Sequence, residues 1–280
     1  MRYIITLFIA GWFTSQAFAQ KDTAQVKRTT KYSLFNPVPK DKMKEMETDR
    51  PDATENAYTV EPGHFQMETD LFKHFSNKKS DVISSGNIFN LGNYKFGLTE
   101  RMDIQLVIPG YVNNITRERN SKKIISRMAG FDDITIRLKY NIWGNAGGTT
   151  ALAVIPFLSL PTSSFSNNGI QGGIIFPFGV ELKQGLDFGT QLGMEIVNED
   201  DNYRSNFLYS FTFGKSVSNK IDVFAEAFTL YSPYLNNTEI FIDGGIIFSF
   251  SKNFNIDAGF NYGIKKNADK VFFTGLSFRL

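Results

Sequence analysis

From His64 to Leu280 the chain carries apolar residues on every second position, in segments of about ten residues, the length a tilted transmembrane strand needs. This repeat restricts the fold more than any other feature. In the last segment Phe272, Thr274, Leu276, Phe278 and Leu280 share one face, and Val271, Phe273, Gly275, Ser277 and Arg279 share the other. The segment before it sets Phe254, Ile256, Ala258, Phe260, Tyr262 and Ile264 against Asn255, Asp257, Gly259, Asn261, Gly263 and Lys265. One face suits lipid and the other a polar lumen. A chain that ends on such a strand must pair it with the first strand, because a barrel closes only when neither edge is left open.

About twelve segments are expected: His64–Phe75, Asn87–Leu98, Met102–Val112, Asp132–Ile142, Thr149–Leu160, Ile170–Lys183, Leu186–Val197, Tyr203–Gly214, Ile221–Ser232, Glu239–Phe250, Phe254–Lys265 and Val271–Leu280. The second is irregular, since Asn90, Asn93 and Lys95 do not fall on one face. Connections after even-numbered segments are short, as at Thr99–Arg101 and Gln184–Gly185, whereas Ser76–Gly86, Asn113–Phe131 and Pro161–Gly169 follow odd-numbered ones. That parity is the outer-membrane pattern, with both termini on the short-turn, periplasmic side. Trp143 and Tyr140 near one end, and Tyr111, Tyr203, Tyr231 and Tyr234 near the other, fit interfacial girdles. The expected fold is an all-β, transmembrane, antiparallel up-and-down barrel embedded in outer-membrane lipid.

Composition supports this. The chain has 28 Phe and 11 Tyr, yet its mean hydropathy is −0.21, too polar for a bundle of membrane helices. A net charge of +2 gives no global attraction for nucleic acid, and the absence of cysteine excludes disulfides and thiolate metal sites. Residues 1–19 read as a secretory signal peptide, with Arg2, an apolar core from Ile4 to Phe13, and Ala17-Phe18-Ala19 before the cleavage point. Residues 20–63 read as a periplasmic leader, unstructured from Lys21 to Lys44, and residues 64–280 as the barrel. Phe278 and Leu280 are the expected signal for the barrel-assembly machinery.

Three motifs stand out: Glu47-Thr48-Asp49-Arg50-Pro51-Asp52-Ala53-Thr54-Glu55 leading into Val60 to Glu68; Gly130-Phe131-Asp132-Asp133-Ile134 with Arg137 to Tyr140; and Ile155 to Thr162. In this order they resemble the outer-membrane transporter family named for the MetA pathway of phenol degradation. The resemblance implies a single barrel that passes small molecules in or out, and it brings no catalytic residues. Independently of it, Thr48, Asp49, Arg50, Pro51, Asp52 and Glu55 place opposite charges just ahead of the first strand. They suit either a cap on the periplasmic end or a partial plug.

Alternation points Glu68, Asp70, Asp103, Gln105, Arg137, Lys139, Glu181, Lys183, Glu195, Glu226, Asp243 and Asp257 into the lumen. Charges of both signs either fill a narrow barrel with cross-lumen ion pairs or line a thin channel. Pro156 and Pro177 are expected to face each other across a hairpin, marking a bulge or a lateral gap. Arg117, Arg119, Lys122, Lys123 and Arg127 make Asn113–Ala129 a basic, solvated loop, a candidate for lipid phosphates. A barrel phospholipase is the competing enzyme reading, resting on His74 and Ser76; His64 and His74 lie at opposite ends of one strand, without the clustered partners a metal needs. No cofactor is expected. A packed barrel without flux is the remaining alternative.

Overall fold

The computed structural model describes residues 31–78, 81–165, 169–199, 202–265 and 268–280. The expected signal peptide and the first part of the expected leader lie outside these residues. The strands are β1 (Phe65–Lys78), β2 (Val82–Thr99), β3 (Met102–Ile108), β4 (Tyr111–Glu118), β5 (Ile124–Gly130), β6 (Ile134–Trp143) and β7 (Thr150–Leu160). They continue as β8 (Gln171–Glu181), β9 (Leu186–Glu199), β10 (Asn202–Ser218), β11 (Ile221–Ser232), β12 (Asn237–Ser251), β13 (Phe254–Gly263) and β14 (Lys270–Arg279). Each pairs antiparallel with its neighbours, and β14 pairs with β1 from Gln66↔Arg279 to Ser76↔Lys270. The result is a closed barrel of twelve strands, with β4 and β5 as an additional hairpin. No helix among the described residues is long and apolar enough to cross a membrane.

The hairpin corrects one expectation. Asn113–Ala129 is not a loop: β4 pairs with the first half of β2, from Val82↔Glu118 to Phe89↔Tyr111, while β3 takes the second half. Pro109-Gly110 separates β3 from β4. Likewise most of Ser76–Gly86 is strand, because β1 and β2 stay paired up to Lys78↔Ile83. Polar sequence hid these extensions. Beyond the apolar band neither face of a strand has to meet lipid, so the alternation fades while backbone pairing continues.

The barrel is apolar outside and polar inside. Outward Leu192, Phe207, Tyr209, Phe211, Phe213 and Phe272 are all exposed, whereas Lys95, Lys139, Gln66, Gln105 and Glu68 are among the largest fully buried side chains. Water is the wrong solvent for such an exterior, and a bilayer is the right one.

The irregular second segment has a local cause. Asn90 has φ 59°, a left-handed conformation, and on the adjoining strand the β1–β14 register shifts between Asp70 and Phe72. A residue added to a strand exchanges its two faces. Below the bulge Glu68 and Asp70 are buried; at the bulge Leu71 and Phe72 are both exposed. Above it Lys73 turns inward to meet Asp70 at 2.8 Å.

The prolines do not face each other. Pro156 pairs with Ile174, and Pro177 pairs with Gln191 on the next seam. The β6–β7 ladder skips from Arg137↔Phe157 to Tyr140↔Val154, across Pro156. The β7–β8 ladder skips from Leu152↔Phe178 to Ile155↔Ile175, across Pro177. Each missing N–H therefore interrupts a different seam of β7, with Pro156 exposed outward and Pro177 buried inward.

Candidate functional site in the barrel lumen

The described residues ahead of β1 enter the barrel rather than trailing from it. Residues 31–44, expected to be unstructured, lie against the short-turn end: Leu34 N donates to Leu98 O (2.8 Å), and Val38 is 1% exposed. His64 joins this rim to the closing strand, with Nδ1 2.7 Å from Leu280 O and Nε2 2.7 Å from Val38 O. Arg279 donates to Lys44 O (2.6 Å) and Asn253 Oδ1 (2.7 Å).

From there the chain runs into the lumen as an irregular loop whose backbone is satisfied by inward side chains, as buried peptide groups require. Glu68 Oε2 accepts from the amides of Asp49 (2.9 Å) and Arg50 (3.1 Å). Glu226 Oε2 accepts from Ala53 N (2.7 Å), and Gln191 receives Glu55 N (2.8 Å) while donating to Ala53 O (2.8 Å). On the return path Asn141 donates to Ala57 O (2.7 Å), Asn145 Oδ1 accepts from Thr59 N (3.1 Å) and Asp103 Oδ2 from Val60 N (3.0 Å). Strands from all around the barrel thus hold one segment, which places it inside.

Ion pairs reinforce the contact. Arg50 donates to Asp257 through Nε (3.1 Å) and Nη2 (2.7 Å) and to Asp70 through Nη1. Such a two-pronged grip is stronger and more directional than a point-charge contact. Lys95 binds both Asp49 and Glu68; Lys139 reaches Asp49 (2.7 Å) and Asn56 O (3.0 Å); Arg137 meets Glu55 at 2.5 Å. Burial raises the Asp49 carboxyl, but the ammonium groups of Lys139 and Lys95 outweigh it and hold the group well below the usual carboxylate range. Asp52 goes the other way, pushed well above that range by burial and then by the adjacent Glu226 carboxylate. Thr48 Oγ1 donates to Arg50 O (2.8 Å), bracing the turn that carries Arg50.

Of the candidate lumen residues, Glu68, Asp70, Asp103, Arg137, Lys139, Glu226 and Asp257 meet this segment or its immediate contacts. Glu195 does not: it stands half-buried on β9, beyond Gln191 toward the long-loop end. Asp243 is buried beside Glu226, its direct partner across β11 and β12. Glu181 accepts from Tyr58 (3.3 Å). Lys183 is corrected, for it sits exposed in the turn after β8 rather than in the wall. Sequence reasoning missed Gly275, which lies between its strand partners Asp70 and Asp257; a Cβ there would sit 2.2 Å from Arg50 Nη2. An inward glycine flanked by two cross-strand aspartates is the trace such a clamp leaves in sequence.

His74 is 2.8 Å from Asn87 Oδ1, so neither histidine is hydrogen-bonded to a serine among the described residues. Among those residues no group of three or more His, Asp or Glu side chains is arranged to hold a metal ion.

A family model described as "Putative MetA-pathway of phenol degradation" matches residues 48–280, beginning at Thr48 of the lumenal segment. The fold is similar to that of an outer membrane channel from Pseudomonas putida F1, with a TM-score of 0.60 at 10% identity over 83% of this chain and 99% of that one. It is also similar to the NanC porin, with a TM-score of 0.50 at 8% identity over 76% of this chain and 100% of that one. No curated protein matches in sequence.

Proposed function

The chain belongs to the MetA-pathway of phenol degradation family, and from that premise we propose that it is an outer-membrane channel for small solutes, held shut by its own N-terminal segment. The carrying observation is how the lumen is filled. A barrel built only for structure has no need of a separate segment of irregular chain, and apolar side chains would fill it at lower desolvation cost. Here the filler is tied by charges and hydrogen bonds, contacts that water and ions can replace once the segment shifts. The residues expected to form either a cap or a plug act in this reading as the plug, with Arg50 as its anchor. The family's description points to small aromatic solutes, and the polar lumen fits those soluble enough in water to enter it.

Planar-bilayer recording with liposome swelling tests this. Purified full-length protein is expected to show a small or infrequent conductance that grows when the segment is released. Silence in both assays, with the segment fixed or freed, favours the packed barrel without flux, the reading that the density of buried ion pairs supports.

A further inference from the structure

Beside the tip of the segment lies a group of carboxylates that the ion pairing leaves unbalanced. Asp49, Glu55, Glu68, Asp70 and Asp257 each meet a basic side chain, whereas no such pair reaches Asp52, Glu226 or Asp243 among the described residues. The charged neighbours of Asp243 are Glu226 and Asp52. Those of Asp52 are Glu226 and Asp49, the latter already paired with lysines. Asp243 is only 5% exposed, and the side chain its carboxyl meets is that of Glu226, another acid.

The surroundings continue this pattern. Thr212, Glu226, Asp243 and Asn261 are successive cross-strand partners on β10 to β13, forming one row around the inner wall. Asn261 Oδ1 is buried without a hydrogen-bond partner and Thr212 Oγ1 lies beside Asp52, so the row offers oxygen acceptors. One inward position toward the long-loop end, Phe228 and Phe241 stack with centroids 4.7 Å apart and planes at 10°, both buried. Two residues along a strand is about 7 Å, close enough for the rings and carboxylates to share an occupant.

We propose that this shelf binds a small organic ammonium ion, its N–H groups shared among Asp243, Glu226 and Asn261 and its carbon side against the Phe228–Phe241 pair. A bare metal ion fits less well, because these carboxylates do not converge on a coordination sphere. An ammonium group brings its own directed donors, and aromatic faces favour it over a neutral solute. The inference deepens the channel reading by naming a solute class for its lumen.

Saturation-transfer NMR on the methyl signal of methylammonium tests it, using the full chain folded in detergent micelles. The expected result is a signal that survives excess KCl and falls at least about tenfold in Asp243→Asn, the loss of one buried charge-assisted contact. The double variant Phe228→Leu/Phe241→Leu keeps apolar volume but removes the rings, and is expected to weaken binding several-fold. Heat-modifiable gel mobility confirms that each variant is folded. Equal displacement by KCl, or an unchanged signal in folded Asp243→Asn, overturns the proposal. Binding is read without flux, so a protein that binds methylammonium and never conducts contradicts the channel and leaves this site standing.

Discussion

Arg50 and Asp257, 207 positions apart in the chain, meet through two N–H···O bonds of 2.7 and 3.1 Å inside the barrel. This fork, with Asp70 on the other side of the guanidinium, fixes the N-terminal segment to the seam where the cylinder closes. Asp70, Gly275 and Asp257 lie in register on β1, β14 and β13, and Arg50 sits over the glycine.

Replacing Arg50 with Ala leaves buried Asp257 without its cation and Asp70 with Lys73 alone. Breaking a buried pair in this way costs about 3–5 kcal/mol, which here falls on docking of the segment rather than on the hydrogen-bonded wall. Single-channel recording is expected to show the open state enriched by at least about a hundredfold, with heat-modifiable mobility unchanged. An unchanged open probability contradicts the anchor role.

Gly275→Val reaches the same end without touching a charge. The added side chain occupies the place of the guanidinium, so the fork cannot form although all its partners remain. Conductance is expected to resemble that of Arg50→Ala. If Gly275→Val behaves like wild type, the close approach of Arg50 to β14 is not what holds the segment.

The barrel was legible in the sequence because lipid imposes period two on any strand that crosses it. Phe254 to Ile264 and Phe272 to Leu280 show that pattern without interruption. Where lipid stops, so does the signal, which is why β4 and β5 read as loop. At Asn90 a single left-handed residue exchanged the faces and blurred an otherwise regular strand. Inward charges such as Glu68, Lys139 and Asp257 were recognisable by position. Their partners were not, since nothing in the spacing of Asp49 and Arg50 says which of twelve strands they will meet.

Docking of the segment is also expected to depend on pH from two sides. Asp49 is held below its ordinary range, so its contribution is present above about pH 4, the ordinary aspartate value, and fades as pH falls toward its native value. Asp52 is held above that range, so its contribution is present in acid and is lost as pH rises through its native value. Open probability is therefore expected to rise toward alkaline pH in the wild type. Asp52→Asn, which has no proton to lose, is expected to flatten that alkaline rise while keeping the rise toward acid that Asp49 causes. A persistent alkaline rise in Asp52→Asn assigns it to another group.

A segment that itself closes the lumen can be locked in place and released by a reversible cross-link. Thr54 Oγ1 lies 2.6 Å from Ser210 Oγ on the barrel wall, and the natural chain has no cysteine to interfere. In Thr54→Cys/Ser210→Cys the conductance of one purified preparation is compared oxidised and after reduction. The oxidised protein is expected to stay in its small-conductance state, and reduction is expected to restore larger openings in the same membrane. The same conductance before and after reduction, with the disulfide shown by mass spectrometry to have formed and then broken, contradicts closure by the segment.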